Sequence, residues 1–124
     1  MIILGDKDIP YNKIENIATI DDIKSTKPNS TLLFHFDKEI MKYCVQNQLN
    51  YMVKVSNIVQ VVYSNSLKAS YILYDDMSNI ATIQKLAETY LFDSKIIVAI
   101  ENENEIEKLA LLGIDGVVFK SIIE

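Results

Sequence analysis

The chain has 124 residues, of which 49% are hydrophobic and 23% are charged, so it is long enough for one domain with a substantial core. Its net charge of −5 and pI near 4.8 argue against a nucleic-acid partner, because such proteins need a basic surface. All 12 basic residues are lysines, so no site can use an arginine fork to bind phosphate.

The single cysteine, Cys44, cannot form an internal disulfide, which is typical of a reducing compartment. The N-terminal segment MIILGDKDIP lacks the basic start and long apolar run of a signal peptide. No apolar stretch approaches the roughly 20 residues that are needed to span a bilayer. We therefore expect a cytoplasmic protein that has no membrane partner and no nucleic-acid partner.

Residues 1–30 differ in pattern from the rest of the chain. MIILG is expected to be a strand and IPYNKIENIAT a second extended segment, with GDKDIP as the turn between them. Thr19 is placed to cap one short helix in TIDDIKS. We predict a β-hairpin-like N-terminal extension that pairs with or covers the sheet, within a single domain of residues 1–124.

From residue 31 onward, short apolar runs alternate with segments of helical periodicity. The predicted strands are TLLFHF (31–36), YMVKV (51–55), SYILYDD (70–76), KIIVAI (95–100) and GVVF (116–119). Strands separated by helices indicate βαβ units with right-handed crossovers. Because TLLFHF is apolar at successive positions, we expect helices on both faces of the sheet. The prediction is a three-layer αβα fold with a five-stranded, mainly parallel sheet, formed by a βα-repeat core over residues 31–124.

Two of these βαβ units are alike. Residues 51–75 align without a gap on residues 96–120, at an offset of 45 residues. In both copies an asparagine, Asn57 or Asn102, precedes a helix and is followed three residues later by a glutamine or glutamate. This spacing is that of a capping box, so the two units are expected to share one βαβ geometry.

Ligands of open parallel sheets bind beyond the carboxyl ends of the strands, so the residues at those ends form the candidate site. They are Asp37, Ser56, Asn57, Asp75, Asp76, Glu101, Asn102 and Lys120. Asp37 and Asp75 are candidate Mg²⁺ ligands, because Mg²⁺ is bound by one or two carboxylates together with water and phosphoryl oxygens. Helix capping is the alternative explanation, since each of these carboxylates precedes a helix.

Two other residues with reactive side chains are expected to be structural. His35 lies in a strand that is predicted to be buried on both faces, and no second histidine exists for a zinc site. Cys44 lies on one apolar helical stripe with Ile40 and Met41, which favours an inert core thiol. With only three glycines, the chain cannot form a P-loop or a GxGxxG motif.

The core resembles the receiver domains of response regulators, which have a flavodoxin-like fold. SYILYDDMS is similar to the strand that carries the phosphorylated aspartate, and ALLGIDGVVFKS is similar to the segment that carries the invariant lysine. The resemblance implies Asp75 as phosphoacceptor, Lys120 as the residue that contacts the phosphoryl group, and Mg²⁺ as the cofactor. LLFHFD resembles the first receiver strand, which implies Asp37 as a metal ligand.

Other receiver positions carry different residues in this chain. Phe36 stands where the family has a second acidic residue, and Ser121 stands where it has a cis-proline. Ile100 or Glu101 stands where the family has the Thr or Ser that reads the phosphate, and the fifth helix is missing. Glu101 is a candidate ligand-binding residue through its place at a strand end. The resemblance implies the fold more than the phosphotransfer activity.

A second resemblance is to the βα units of TIM-barrel enzymes. The segments NSLKASYIL and LALLGIDGVVF are similar to the helix-to-strand joints of those enzymes. The chain offers five or six strands rather than eight, which excludes a closed barrel for a monomer. A half-barrel that dimerises is consistent with this resemblance.

Three functions follow from these patterns. The first is a non-catalytic, receiver-like protein-interaction module that forms a homodimer or binds a protein partner, since no helix covers the last strand. The second is a Mg²⁺-dependent phosphoacceptor that uses Asp75, Asp37 and Lys120. The third is a small-molecule-binding or phosphate-binding fragment related to TIM barrels, with its site at the strand ends.

Overall fold

The computed structural model describes residues 1–124, which form seven strands and four α-helices. The strands are β1 (Ile2–Leu4), β2 (Ile14–Asn16), β3 (Thr31–His35), β4 (Tyr51–Val55), β5 (Tyr71–Tyr74), β6 (Lys95–Ile100) and β7 (Gly116–Phe119). The helices are α1 (Lys38–Gln46), α2 (Ile58–Ser66), α3 (Ile80–Thr89) and α4 (Ile106–Leu111). Short 3-10 helices lie at Asp21–Ser25, Met77–Asn79, Glu103–Glu105 and Lys120–Ile122.

The strands form one parallel sheet in the order β1-β7-β6-β5-β4-β3-β2. The prediction of an α/β fold with a parallel sheet is therefore confirmed. From β2 to β7 each strand lies beside the next strand in the chain, without the reversal of order that marks a doubly wound sheet. Right-handed crossovers between sequential neighbours place all the helices on one face of such a sheet.

The prediction of five strands in three layers is wrong, because the sheet has seven strands and curls into a half-barrel. One face carries an outer cluster of 22 buried hydrophobic residues, to which all four helices contribute. The helix members of this outer cluster are Ile40, Met41, Cys44, Val61, Ile80, Ile83, Ala87 and Leu109. The other face carries no α-helix; it is covered by the sheet's own curvature. This explains why a strand that is apolar on both faces does not require two layers of helices.

A second, inner cluster fills the concave face of the half-barrel. Each of the seven strands gives one residue to it, and Ile123 completes it. The eight residues are Leu4, Ile14, Leu33, Met52, Leu73, Ile97, Val118 and Ile123. Since both edge strands contribute, the sheet must curl far enough to bring its two edges to one core. An Asn16 side-chain amide that donates to the carbonyl oxygen of Ile123 at 3.3 Å also links β2 to the segment after β7.

The predicted N-terminal hairpin is also wrong, although both of its extended segments contain a strand. β1 pairs with β7 and β2 pairs with β3, so the two lie at opposite edges of the sheet. The close approach of β1 depends on Gly116, where an added Cβ would lie 2.8 Å from both Cβ and the carbonyl oxygen of Ile2. The N-terminal segment thus takes the place beside the last strand that the sequence leaves uncovered.

All four helices end with a residue in the left-handed conformation, which allows a closing turn back into the next strand. These residues are Gln48, Lys68, Leu91 and Gly113, with φ of 55, 63, 53 and 76° respectively. After each of them, an amide donates to a carbonyl five residues earlier, as from Phe92 to Ala87 at 2.9 Å and from Ile114 to Leu109 at 3.1 Å. Gly113 is the one glycine among these four residues, and the same turn recurs after every helix.

Candidate functional site

The strand period places a second layer of side chains above the inner cluster, at the carboxyl ends of the strands. Successive residues of a strand point to opposite faces, so the residue two positions after each inner-cluster member faces the same concave side. For β3 to β7 these residues are His35, Lys54, Asp75, Ala99 and Lys120. A ring of apolar residues is thus followed by a ring that is mostly polar and ionisable.

These five residues line one cleft of about 510 Å³, which we call the mouth cleft. Its complete lining is His35, Lys54, Val55, Leu73, Asp75, Ala99, Lys120, Ile123 and Glu124. A second hollow of about 350 Å³ shares His35, Lys54, Val55 and Asp75 and extends toward Phe36, Ser56 and Gln60. The mouth cleft therefore combines an apolar floor with two ammonium groups, an imidazole and carboxylates, and its volume is within the range of small-molecule sites.

Lys120 lines the mouth cleft and also forms an ion pair with Glu101, with 3.5 Å between Nζ and Oε1. The two side chains are 43% and 73% exposed, so water screens the attraction and the pair contributes little to stability. Glu101 is not a lining residue of the cleft. Its place beside Lys120 makes it a local counter-ion that a bound anion has to compete with.

Lys54 and Asp75 differ from Lys120, because neither takes part in any of the four ion pairs of the chain. Lys54 is half-buried and is the direct register partner of His35 on the neighbouring strand. Lys54 also pairs with Leu73 across β4 and β5, which puts Asp75 two residues further along β5. Partly buried charges are usually paired in proteins, so an unpaired ammonium facing a cleft indicates room for an external anion.

The strand-end residues predicted from sequence divide into helix caps and cleft residues. Four of them cap the helices that follow, namely Asp37, Asn57, Asp76 and Asn102. The Asp37 carboxylate accepts from the amides of Glu39 and Ile40 at 2.9 and 3.2 Å. Asp75 and Lys120 instead share the mouth cleft. Capping is thus the structural explanation for four of the six acidic and amide residues at this edge.

Metal ligation by Asp37 and Asp75 stays a prediction. No three side chains of His, Cys, Asp or Glu lie close enough together to hold a metal ion. The Asp37 carboxylate already binds two amides at the first turn of α1, and Asp37 does not line the mouth cleft. Among the residues of the Mg²⁺ hypothesis, only Asp75 and Lys120 are brought together.

His35 and Lys54 are the site residues that sequence reasoning missed. His35 was expected to be buried in its strand, but it is exposed at the carboxyl end of β3. The strand is buried on both faces only as far as Phe34, and His35 lies above the inner cluster, where the cleft opens. The signal that could have found them is the two-residue repeat of side-chain direction along a strand. It places His35 on the same face as Leu33, and Lys54 on the same face as Met52.

Two ionisable groups near the site have shifted pKa values. Burial raises the pKa of the Tyr74 phenol, and the neighbouring carboxylates of Asp76 and Asp75 raise it further. The pKa of Asp76 is lowered because its carboxylate accepts hydrogen bonds from the hydroxyl and the amide of Ser78. Tyr74 therefore stays a neutral phenol near neutral pH, and Asp76 stays ionised in its capping role.

The prediction for Cys44 is confirmed, because the thiol is fully buried in the outer cluster. Burial raises the pKa of this thiol to about 11, so it is not a nucleophile at neutral pH. No helix of the chain combines the length and the apolar character that spanning a membrane requires. The sequence matches no known protein family and no curated protein.

Proposed function

We propose that the protein binds a small anionic molecule, a phosphate ester or a carboxylate, in the mouth cleft. The observation that supports this proposal is that strand period and register direct Lys54, His35 and Lys120 into one cleft with an apolar floor. The two lysines of the lining are balanced by the carboxylates of Asp75 and Glu124, so the cleft lacks the negative excess of the whole chain, whose net charge is −5. An anion at this place gains a charge-assisted contact with one of the two lysines, at the rim of a pocket that already has a suitable size.

The test is a calorimetric titration with inorganic phosphate, fructose 6-phosphate and citrate as separate probes. We expect at least one of them to bind, and Lys54→Gln or Lys120→Gln to weaken that binding about tenfold, because a hydrogen bond to a charged group contributes about 1.5 kcal/mol or more. Lys85→Gln is the matched control, since Lys85 is exposed on α3 and does not line the cleft. Absence of binding by all three probes, or an equal loss in the Lys85 variant, would contradict the proposal.

The Mg²⁺-dependent phosphoacceptor draws support only from the shared location of Asp75 and Lys120 in the cleft. A receiver-like chemistry needs a metal between carboxylates and phosphoryl oxygens, and the Asp37 carboxylate is occupied as a helix cap. Beryllofluoride with Mg²⁺ is the direct probe of this alternative. Perturbation of the NMR signals around Asp75 would support it, and an unchanged spectrum at millimolar probe would exclude it.

A protein-interaction role is a second candidate function, supported by the outer surface of α2. Four apolar side chains are exposed there, Ile58, Val59, Val62 and Tyr63, with Val59 63% exposed. They are spaced one, four and five residues apart and so share one side of the helix. If a second copy of the chain covers this side, light scattering at high micromolar concentration will give a dimer mass that Val59→Glu lowers. A single-chain mass for the unaltered protein would contradict the homodimer.

A further inference from the structure

The two lysines of the mouth cleft are attached to the sheet three strand positions apart. Lys54 is on β4 and Lys120 directly follows β7, with β5 and β6 between them. Neighbouring strands lie about 4.8 Å apart, so three strand spacings put the two backbones on the order of 14 Å apart along the sheet. The separation is set by the sheet itself and does not depend on a flexible loop.

The environments of the two ammonium groups also differ. Lys120 is held beside Glu101, with 3.5 Å between Nζ and Oε1, on the β6 side of the mouth. Lys54 has no ion pair and has His35 as its register partner on the opposite side, toward β3. The cationic groups therefore form two separate positions, one at β3 and β4 and one at β7.

Between these two positions the cleft has room and a carboxylate, and a second carboxylate, that of Glu124, lines the cleft after β7. The inward position of β6 is Ala99, which is the smallest side chain of the ring and leaves the centre of the cleft open. Asp75, which directly follows β5, adds a carboxylate there that has no ion-pair partner. The floor below is apolar and includes Leu73 and Ile123. The charged residues of the lining are thus Lys54 on β4, Asp75 after β5, and Lys120 together with Glu124 after β7.

From this arrangement we propose that the ligand of the mouth cleft is an elongated molecule with an anionic group at each end and a hydrogen-bond donor near its middle. This inference rests on the proposed anion-binding function and adds the ligand class to it. Lys54 and His35 bind one anionic end of the ligand. Lys120 binds the other end, which replaces Glu101 as its ion-pair partner. Asp75 accepts from a central hydroxyl or amine, and the apolar floor contacts the carbon chain that joins the ends.

The test compares hexane-1,6-diyl bisphosphate with hexyl phosphate, which differ only in the second anionic group. We expect the bisphosphate to bind at least tenfold more tightly, since a second contact within one molecule benefits from a high effective concentration. Propane-1,3-diyl and decane-1,10-diyl bisphosphates complete the series. The affinity is expected to peak at the linker whose length matches the distance between the two cationic positions.

The lysine variants distinguish two separate anion-binding positions from a single position that both lysines share. Lys54→Gln and Lys120→Gln are each expected to weaken the bisphosphate at least fivefold, whereas hexyl phosphate should respond to only one of the two. Equal binding of the two probes, or equal losses of hexyl phosphate in both variants, would overturn the two-ended ligand and leave the anion site intact. Failure of every probe to bind would overturn the anion site itself.

Discussion

The substitution Gly116→Ala probes the contact that closes the half-barrel at its β1 edge. A Cβ at this position would lie 2.8 Å from Ile2 Cβ, from the Ile2 carbonyl oxygen and from Ile97 Cδ1. Ile2 Cβ and the Ile2 carbonyl oxygen are fixed to the backbone, so they move only if β1 moves. The methyl group therefore has to push β1 away from β7.

Overpacking of this kind costs about 1–3 kcal/mol, and loss of β1 from the sheet also exposes part of the inner cluster. A chain of this size has a total stability of about 5–15 kcal/mol, so a substantial fraction of the stability is lost. The expected fall in melting temperature is about 4 °C for each kcal/mol. Gly116→Ala should also speed amide exchange at Ile2, whose amide donates to the carbonyl oxygen of Asp115 at 2.9 Å.

Gly113→Ala is the matched control, because it adds the same methyl group where no atom lies within 4 Å. Its cost comes only from the left-handed backbone at φ +76° and is about 1 kcal/mol. Urea unfolding of both variants gives the comparison. If Gly116→Ala is no more destabilising than Gly113→Ala, or leaves amide exchange in β1 unchanged, the parallel pairing of β1 with β7 is refuted.

Three further predictions concern single side chains. Glu101→Gln should tighten anion binding by up to about fivefold in calorimetry, since it frees Lys120 from an exposed ion pair of about 0.2–1 kcal/mol. Weaker binding would show that Glu101 contacts the ligand. Leu91→Gly should raise the free energy of unfolding by about 0.5–1 kcal/mol, because glycine adopts the left-handed conformation of this helix end without strain. The leucine side chain is 85% exposed, so little packing is lost. A destabilised variant would contradict this prediction. Hydrogen bonds from the Ser30 hydroxyl and the Lys27 amide lower the pKa of Glu15 below its ordinary value of 4.5. The ionised Glu15 therefore stabilises the fold fully at a pH above 4.5, and this contribution is lost as the pH falls through the lowered pKa. Urea unfolding from pH 3 to pH 7 should therefore show a smaller loss of stability at acidic pH for Glu15→Gln than for the unaltered chain, and an unchanged pH dependence would count against the assigned role.

The local structure could be predicted from the sequence where it depends on neighbours in the chain. The apolar runs that became β3 to β7 were recognised with bounds close to those of the structure, as were the caps at Asn57 and Asn102. The path of residues 1–30 could not be predicted, because β1 and β2 have only three residues each and their partners lie far along the chain. Such short strands carry too little periodicity to specify a register.

The candidate site was predictable in part for the same reason. Asp75 and Lys120 follow apolar strands and were recognised, but Asp37 has the same sequence signal and serves as a cap. His35 lies within its strand and was predicted to be buried there, and Lys54, also within a strand, was not among the candidates. These two residues can be recognised as site residues only when the curl of the sheet is known. The curl makes the concave face a packed core in its lower part and an open cleft at the carboxyl ends of the strands.

Anion binding in the mouth cleft is tested most directly by NMR of the ¹⁵N-labelled chain. The backbone amide signals are followed during titration with inorganic phosphate at constant ionic strength. We predict saturable shifts at His35, Lys54 and Lys120, which surround the mouth cleft, and none at Leu91 or Gly113 at the opposite end of the half-barrel. Shifts that concentrate at the opposite end, or a spectrum that stays unchanged at millimolar phosphate, would contradict anion binding in the mouth cleft.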